Sequence, residues 1–464
     1  AGTACMGVPS ENVTSRVEKM ELEGFEYKKY PVTFWDVYER NGIPLRTTVS
    51  EMGPLLMSQV LELNEVQSEL LDVIYKIADD EGLLLLDTKD LKSMINYVTE
   101  NADEYSTAYG NIAKKSMATI IRAIVSLESQ GGELFFGEPA LNVREWFACD
   151  ANGKGNIQIL DCQQLVNNPK LYASFLLWLL SELFEVLPEA GDLEKPKMVF
   201  FFDEAHILFN NASKSLLSKI EQVIKLIRSK GVGIYFITQS PADIPDEVLA
   251  QLGNKIQHAL HAYTPKEQKA VKVASESYRA NPAFNTYEEL LNLGIGQALV
   301  SVLDENGIPT VVEKTKICPP QSFMGTIDEN MRKSLIENDF AYMRYAQSID
   351  RESAYEILTK KVEETLKKEQ EAKQAALDAK QKEKEEKEAL KLKEKEEKAK
   401  QKELEKQEKA KKQAMNRVGS SAASTIGREI GNTFGKSIGG SFGKKLGGNV
   451  GSSIARGIFS TLLK

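Results

Sequence analysis

At 464 residues the chain can hold two or three domains, and an apolar fraction of 42% is ordinary for a globular protein. The formal net charge of −8 argues neither for nor against a nucleic-acid partner, because much of the Lys and Glu is gathered between Lys360 and Lys412. Cys5, Cys149, Cys162 and Cys318 are scattered without C-x-x-C spacing, and with three His no structural zinc site is suggested. Free thiols without a signal peptide fit a reducing compartment, so a cytoplasmic location is expected. No apolar run reaches the roughly 18 residues of a spanning helix. The opening "AGTACMGVPSENV" starts with Ala1, and the expectation is a fragment or a processed product.

In chain order, "YPVTFWDV" (Tyr30–Val37) is β-branched and aromatic and predicts a strand. After the turn "RNGIP", "PLRTTVSEM" (Pro44–Met52) predicts a short second extended piece. From Pro54 to about Glu128, apolar residues three and four apart predict a subdomain of three or four helices. Phe135 to Phe147 reads as irregular.

An alternating section follows. "NIQILDC", "MVFFFDEA", "GIYFITQSP" and "KIQHALHAY" read as strands. "LYASFLLWLLSELFEVL", "SLLSKIEQVIKLIRSKG", "DEVLAQLG" and "PKEQKAVKVASES" read as helices between or after them. Such alternation predicts an α/β core with a mostly parallel sheet covered by helices on both faces. "GQALVSVLDENGIPTVVEKTKI" (Gly296–Ile317) predicts a hairpin around "ENG".

Beyond Asp350, apolar residues are too sparse for sustained heptads, and a long solvated helix with i,i+4 Glu–Lys pairs is expected. The last segment places small residues at every fourth position from Gly419 to Ala455, with apolar residues from Ile426 to Ile458 keeping the same period. Small residues on one stripe let another helix approach closely, so association with helices or a membrane surface is expected. A flexible Gly/Ser tail is the plainer alternative, since glycine costs about 1 kcal/mol per helical position.

The domain division that results is 1–53 (the start of the core), 54–130 (helical insertion), 131–325 (core), 326–412 (Lys/Glu-rich spacer) and 413–464 (glycine-periodic tail).

Chemistry concentrates at "KPKMVFFFDEAHILF". Carboxylates at the carboxyl end of a buried strand lie where open α/β sheets bind ligands. There Asp203 could orient a magnesium ion and its waters, and Glu204 could polarise an attacking water. The bland reading is two loop acids capping the next helix. Gln239 ends the next predicted strand and should share that sheet edge; a glutamine there can sense a γ-phosphate or simply end a strand. Lys225 and Arg228 precede that strand. An arginine there could reach a neighbouring subunit's nucleotide, or be a solvated cation favourable to the helix dipole.

Taken together, "KPKMVFFFDEAHILF", "KIEQVIKLIRSKGVGIYFITQSPADIPDEVLAQLGNKIQHAL" and "GIGQALVSVLDENGIPTVVEKTKICPP" resemble the bacterial HerA-like helicase family, a branch of the HerA/FtsK ATPases. "YPVTFWDVYERNGIPLRTTVSEMGPLL" and "GGELFFGEPAL" share the likeness, which covers about Gly24 to Ile349. The resemblance implies a RecA-like core with a helical insertion, ATP and Mg2+ as ligands, and a hexameric homo-oligomer that acts on DNA. It places Asp203 at the magnesium position, Glu204 at the catalytic acid, Gln239 at the sensor and Arg228 at the arginine finger.

The family's phosphate loop, G-x-x-x-x-G-K-[ST], is not found in the expected place, so this stretch alone is expected to hydrolyse little or nothing. "GNTFGKS" (Gly431 to Ser437) is one residue short in spacing and belongs to the period-four series. "DANGKGNIQIL" from Asp150 imitates a calcium loop, but Lys154 stands at a ligand position and a turn is expected. The leading expectation is an ATP-driven ring motor; the alternative is a non-catalytic assembly scaffold.

Overall fold

The computed structural model describes residues 2–150, 152–191, 193–210 and 214–415. By contacts the chain divides into two compact units, Ala1–Lys368 and Glu369–Lys464.

In the first unit, helix α1 (Glu11–Met20) precedes strands β1 (Val32–Asp36) and β2 (Ile43–Pro44), which pair in parallel. Five helices follow: α2 (Val49–Val60), α3 (Glu65–Asp80), α4 (Thr88–Glu100), α5 (Ala102–Tyr109) and α6 (Lys114–Leu127). This is one or two more than the three or four expected, because the periodic run is cut by helix caps rather than by long loops. The α2, α3 and α4 starts each carry a reciprocal capping box, at Thr48/Glu51, Asn64/Gln67 and Asp87/Asp90. The first of these overturns the extended reading of Pro44–Met52: Thr48 caps a helix that already runs through Met52. Gly53, at φ 70°, then kinks α2 before Pro54.

Strand β3 (Ile157–Leu160) returns to pair in parallel with β1, giving the order β2-β1-β3. Before it, the Asp150 carboxylate accepts from the backbone N–H of Asn152 and Lys154 at 2.9 and 2.8 Å, so "DANGKG" is the expected turn. Helix α7 (Pro169–Val186) is apolar all round and correspondingly buried, with Leu171, Phe175, Leu177, Trp178 and Leu183 at 0–1% exposure. It packs on α2 and on α8 (Lys214–Ile227). Phe135 meets Phe175 and Trp178 edge-on at 6.0 and 5.9 Å in the centre of this core.

Strands β4 (Met198–Phe202) and β5 (Val232–Phe236) form a parallel pair in the register Met198↔Val232 to Phe202↔Phe236. Period-two alternation gives this pair two faces. Phe202, Val232 and Phe236 turn towards the core. Phe201 and Tyr235 stack on the other side at 4.8 Å and stay 65% and 48% exposed, beside Val199 and Ile237. Among the described residues helices cover this strand pair on one face only, whereas the β2-β1-β3 sheet is packed on both, Trp35 towards the main core and Phe34 and Ile159 towards Leu335 and Ile336.

The expected strand Lys255–Tyr263 is also shorter. Strand β6 covers Lys255–Gln257, then Leu260 N–H bonds to Leu290 O and leaves the ladder. β6 joins β7 (Gln297–Ser301) and β8 (Glu313–Lys316) in an antiparallel sheet ordered β6-β7-β8. The expected hairpin is present, closed by Gly307 at φ 72°. Helices α9 (Pro265–Glu276) and α10 (Thr286–Asn292) cover this sheet around Val271, Leu290, Leu299 and Val312.

Helix α11 (Glu329–Glu337) and helix α12 (Phe340–Tyr345) lead to α13 (Ala354–Met415). Ala354 and Leu358 at its root are buried. From Glu369 to Ala410 every residue is exposed, and Glu369–Lys373 and Glu383–Lys387 pair at i,i+4, so the expected solvated helix is observed. The glycine-periodic segment and "GNTFGKS" lie outside the described residues.

Candidate active site

The parallel ladder runs past the assigned ends of β4 and β5: Ile237 N–H donates to Phe202 O at 2.8 Å, and Ala205 N–H to Ile237 O at 2.9 Å. Those bonds fix the two residues between them, Asp203 and Glu204, at the carboxyl edge of the sheet. Glu204 sits at φ 48°, a left-handed conformation unfavourable for a side chain without a short polar group. It is held there by local bonds. Its N–H donates to Asp203 Oδ1 at 3.0 Å, and its carbonyl accepts from Ile207 N–H at 2.9 Å as the short helix His206–Asn210 begins.

The reversal lets two consecutive carboxylates face different surroundings. Asp203 is exposed to solvent. The Glu204 carboxylate faces β5, where Gln239 Nε2 donates to Oε1 at 3.1 Å and lies 3.4 Å from Oε2. Gln239 is set by the turn after β5, in which Thr238 Oγ1 donates to Asp243 Oδ2 at 2.9 Å. His206 Nδ1 lies 3.2 Å from Glu204 Oε2, an ion-pair distance, although that nitrogen has no hydrogen bond in the described structure.

The structure thus brings together Asp203, Glu204 and Gln239. Arg228 is not with them. It lies in the 3-10 turn Arg228–Lys230 before β5, at the opposite end of the parallel pair. Five strand residues at about 3.3 Å each separate the two ends by roughly 17 Å, beyond the reach of one side chain. Lys225 on the preceding turn pairs with Glu221 at 2.6 Å.

His206, close to Glu204, and Tyr172, whose phenol feels the charge of Asp203, are two groups that the sequence reading did not single out. His206 had a signal, two residues after Glu204 in "DEAH". Tyr172, at the start of α7, had none. Burial pushes its phenol well above its usual value, with Cys162 and Asp203 adding to the shift. Asp36 ends β1 but is occupied by its own loop, accepting from the N–H groups of Tyr38, Arg40 and Asn41 at 2.8–2.9 Å.

No group of three or more His, Cys, Asp or Glu among the described residues could hold a metal alone. Mg2+ needs no such cage: it keeps several waters and takes one or two carboxylates plus substrate phosphates. An exposed Asp203 beside a bonded Glu204 fits that partial donor set.

The family described as "Helicase HerA-like C-terminal" matches residues 1–446. The chain belongs to that family. This HerA-like chain is 28% identical over 116 residues to the probable helicase MJ1565 of Methanocaldococcus jannaschii, and 30% over 125 residues to the probable helicase MJECL08 of the same organism. Those matches take in 25% and 26% of this chain and 21% and 22% of the two proteins, so about a fifth of each relative is spanned. Among solved structures it is similar to the plasmid coupling protein TrwB with the GTP analogue GDPNP (TM-score 0.41, 12% identity, 63% of this chain and 77% of that one). It is also similar to VirB4 of Thermoanaerobacter pseudethanolicus (TM-score 0.37, 16% identity, 66% and 80%). HerA-like membership and the parallel α/β core agree with the RecA-like class expected from the sequence.

Proposed function

We propose that this chain forms part of an ATP-hydrolysing ring motor of the HerA/FtsK type, acting on DNA as a translocase or helicase. The observation that carries the reading is the hydrogen bond from Gln239 to Glu204 across the carboxyl ends of β4 and β5. It joins a carboxylate able to take a proton from water to an amide able to sense what that carboxylate faces.

In this reading Glu204 orients and deprotonates the attacking water, and Gln239 holds the carboxylate in line while contacting the γ-phosphate. Asp203, exposed beside them, would hold Mg2+. When bound, Mg2+ neutralises charge on the phosphates. Arg228 cannot serve the acids of its own copy across roughly 17 Å. It serves the site of a neighbouring copy, and this is the reason for proposing a ring, hexameric as in the resembled family. The phosphates themselves are gripped by a G-x-x-x-x-G-K-[ST] loop in the whole protein, in the cytoplasm, and the described stretch by itself turns over little ATP.

The test is Glu204→Gln in a protein that carries such a loop. ATP turnover should vanish while nucleotide remains bound, because the amide keeps the shape and loses the base. Undiminished turnover would remove Glu204 from the mechanism. The scaffold reading draws support from α13, whose exposed surface from Glu369 to Ala410 suits a spacer. It predicts no hydrolysis even with the loop present.

A further inference from the structure

The Glu204 carboxylate has a second neighbour besides Gln239. Its Oε2 lies 3.2 Å from His206 Nδ1. The backbone keeps that ring in place. Glu204, left-handed at φ 48°, turns the chain directly into the short helix His206–Asn210. The helix is pinned on its core side. Ala205 N–H donates to Ile237 O at 2.9 Å, Leu208 and Phe209 are buried, and the Phe209 ring lies 5.4 Å from Phe236 of β5. His206 therefore stays beside the carboxylate of the residue that made the turn.

The imidazole is not buried as a whole. Its side chain is 32% exposed, yet Nδ1 has essentially no accessible surface and no hydrogen bond among the described residues. Water does not reach that nitrogen. Buried polar atoms are nearly always satisfied, and the acceptor at hand is Glu204 Oε2. The separation is at the long end of the hydrogen-bond range, and what is lacking is direction. Bonds at catalytic sites are often misaligned before substrate binds and tighten afterwards. A neutral imidazole has one donor and one acceptor nitrogen. A lone pair on Nδ1 would face the negative charge of the carboxylate, so the proton belongs on Nδ1.

We propose that His206 is a positioning residue for Glu204: its Nδ1–H donates to Oε2 while Gln239 Nε2 donates to Oε1, and the two donors fix the plane of the carboxylate. The inference rests on the reading of Glu204 as the base that orients the attacking water. A carboxylate that accepts one bond at each oxygen still has lone pairs free for that water. What it loses is rotation about its last torsion, which is otherwise broad for a glutamate. A base held in one orientation is aimed at the water for more of the time, so the gain falls on kcat rather than on binding. No proton passes to His206 in this arrangement.

The first test needs no turnover. In the full chain labelled with 15N-histidine, the ring signal of His206 is the one of three that His206→Asn removes. At pH 8 the wild-type ring should carry its proton on Nδ1, and Glu204→Ala should return it to the Nε2–H form that a free imidazole side chain prefers. A wild-type ring protonated on Nε2, or an Nδ1–H form unchanged by Glu204→Ala, would overturn the proposal. The second test is kinetic, in the protein that carries the phosphate loop. His206→Leu should lower kcat about tenfold with KM unchanged. His206→Asn, whose amide nitrogen stands near the place of Nδ1, should recover at least half of the wild-type rate. A packing role predicts the reverse order, because Leu fills the space of the ring better. Asn no faster than Leu, or Leu as fast as wild type, also overturns the proposal. Glu204→Gln separates it from the reading beneath it. If that variant is inactive while His206→Leu is unimpaired, the base stands and the positioning role falls; if Glu204→Gln keeps full turnover, both fall.

Discussion

Gln239 donates a hydrogen bond to Glu204 at 3.1 Å from a turn that begins where β5 ends, 35 residues further along the chain. Parallel pairing of β4 and β5 is what makes the two meet. Removing the amide while keeping the strands should therefore affect chemistry more than folding. In a hydrolysing protein that carries the phosphate loop, Gln239→Ala is expected to lower kcat by about 10²-fold, the lower range for a disturbed general base, with KM little changed. Steady-state ATPase assays would show it; a rise in KM alone would make Gln239 a binding residue instead.

Asp90 is 1% exposed and anchors the root of the long helix. Its Oδ1 accepts from Ser353 Oγ at 2.6 Å and Tyr355 N–H at 2.9 Å, and its Oδ2 from Leu86 N–H at 2.8 Å and Asp87 N–H at 3.1 Å. Asp90→Ala leaves several of these donors unpaired and should cost at least about 2 kcal/mol in urea unfolding. Proteolysis around residues 350–353 should accelerate as well. Wild-type resistance in that variant would mean that Ala354 and Leu358 anchor the helix alone.

Glu182 supplies a pH prediction. Its folded-state pKa is raised, first by burial and then by Glu51 and Glu185. A raised carboxyl pKa means the folded state holds the proton more tightly than the unfolded chain. Its stabilising contribution is complete below the ordinary Glu value of about 4.3 and is lost as pH rises through the folded value. Glu182→Gln has nothing to titrate, so it should gain on wild type between pH 4 and pH 8. Urea midpoints at both values test this, and a constant difference would contradict it.

The thiols should divide by environment. Cys149 and Cys318 are exposed. Burial, with help from Asp161 and Asp36, has the Cys162 thiol pushed up to about 12. Alkylation at pH 8 followed by mass spectrometry should label Cys149 and Cys318 first and Cys162 last, because the thiolate is the reactive form. Early labelling of Cys162 would mean that the β3–α7 connection opens readily.

The sequence was legible where long apolar patterns decide structure. "MVFFFDEA" and "GIYFITQSP" run as strands because four or five consecutive apolar residues need a sheet, and their parallel pairing brought Gln239 to the expected sheet edge, where its partner is Glu204. Short-range chemistry was misjudged. Thr48 and Glu51 spell a capping box, yet β-branched Thr47, Thr48 and Val49 suggested an extended chain. Short helices such as α10 and α12 carry too few turns for a periodic signal. The effect of the Asp203 charge on Tyr172 depends on how α7 lies against other elements, which no local window of sequence contains.

The uncovered face of β4 and β5 bears on how the protein behaves in a test tube. Phe201 and Tyr235 form a flat aromatic plate beside strand edges that are unpaired among the described residues. Such a plate, bordered by free backbone donors and acceptors, is a template onto which other chains can add. Concentrated preparations of this chain should cloud or elute early from a sizing column, and a charge on the plate should cure it. Phe201→Lys is the substitution of choice, since the position points away from the core and the strand register survives.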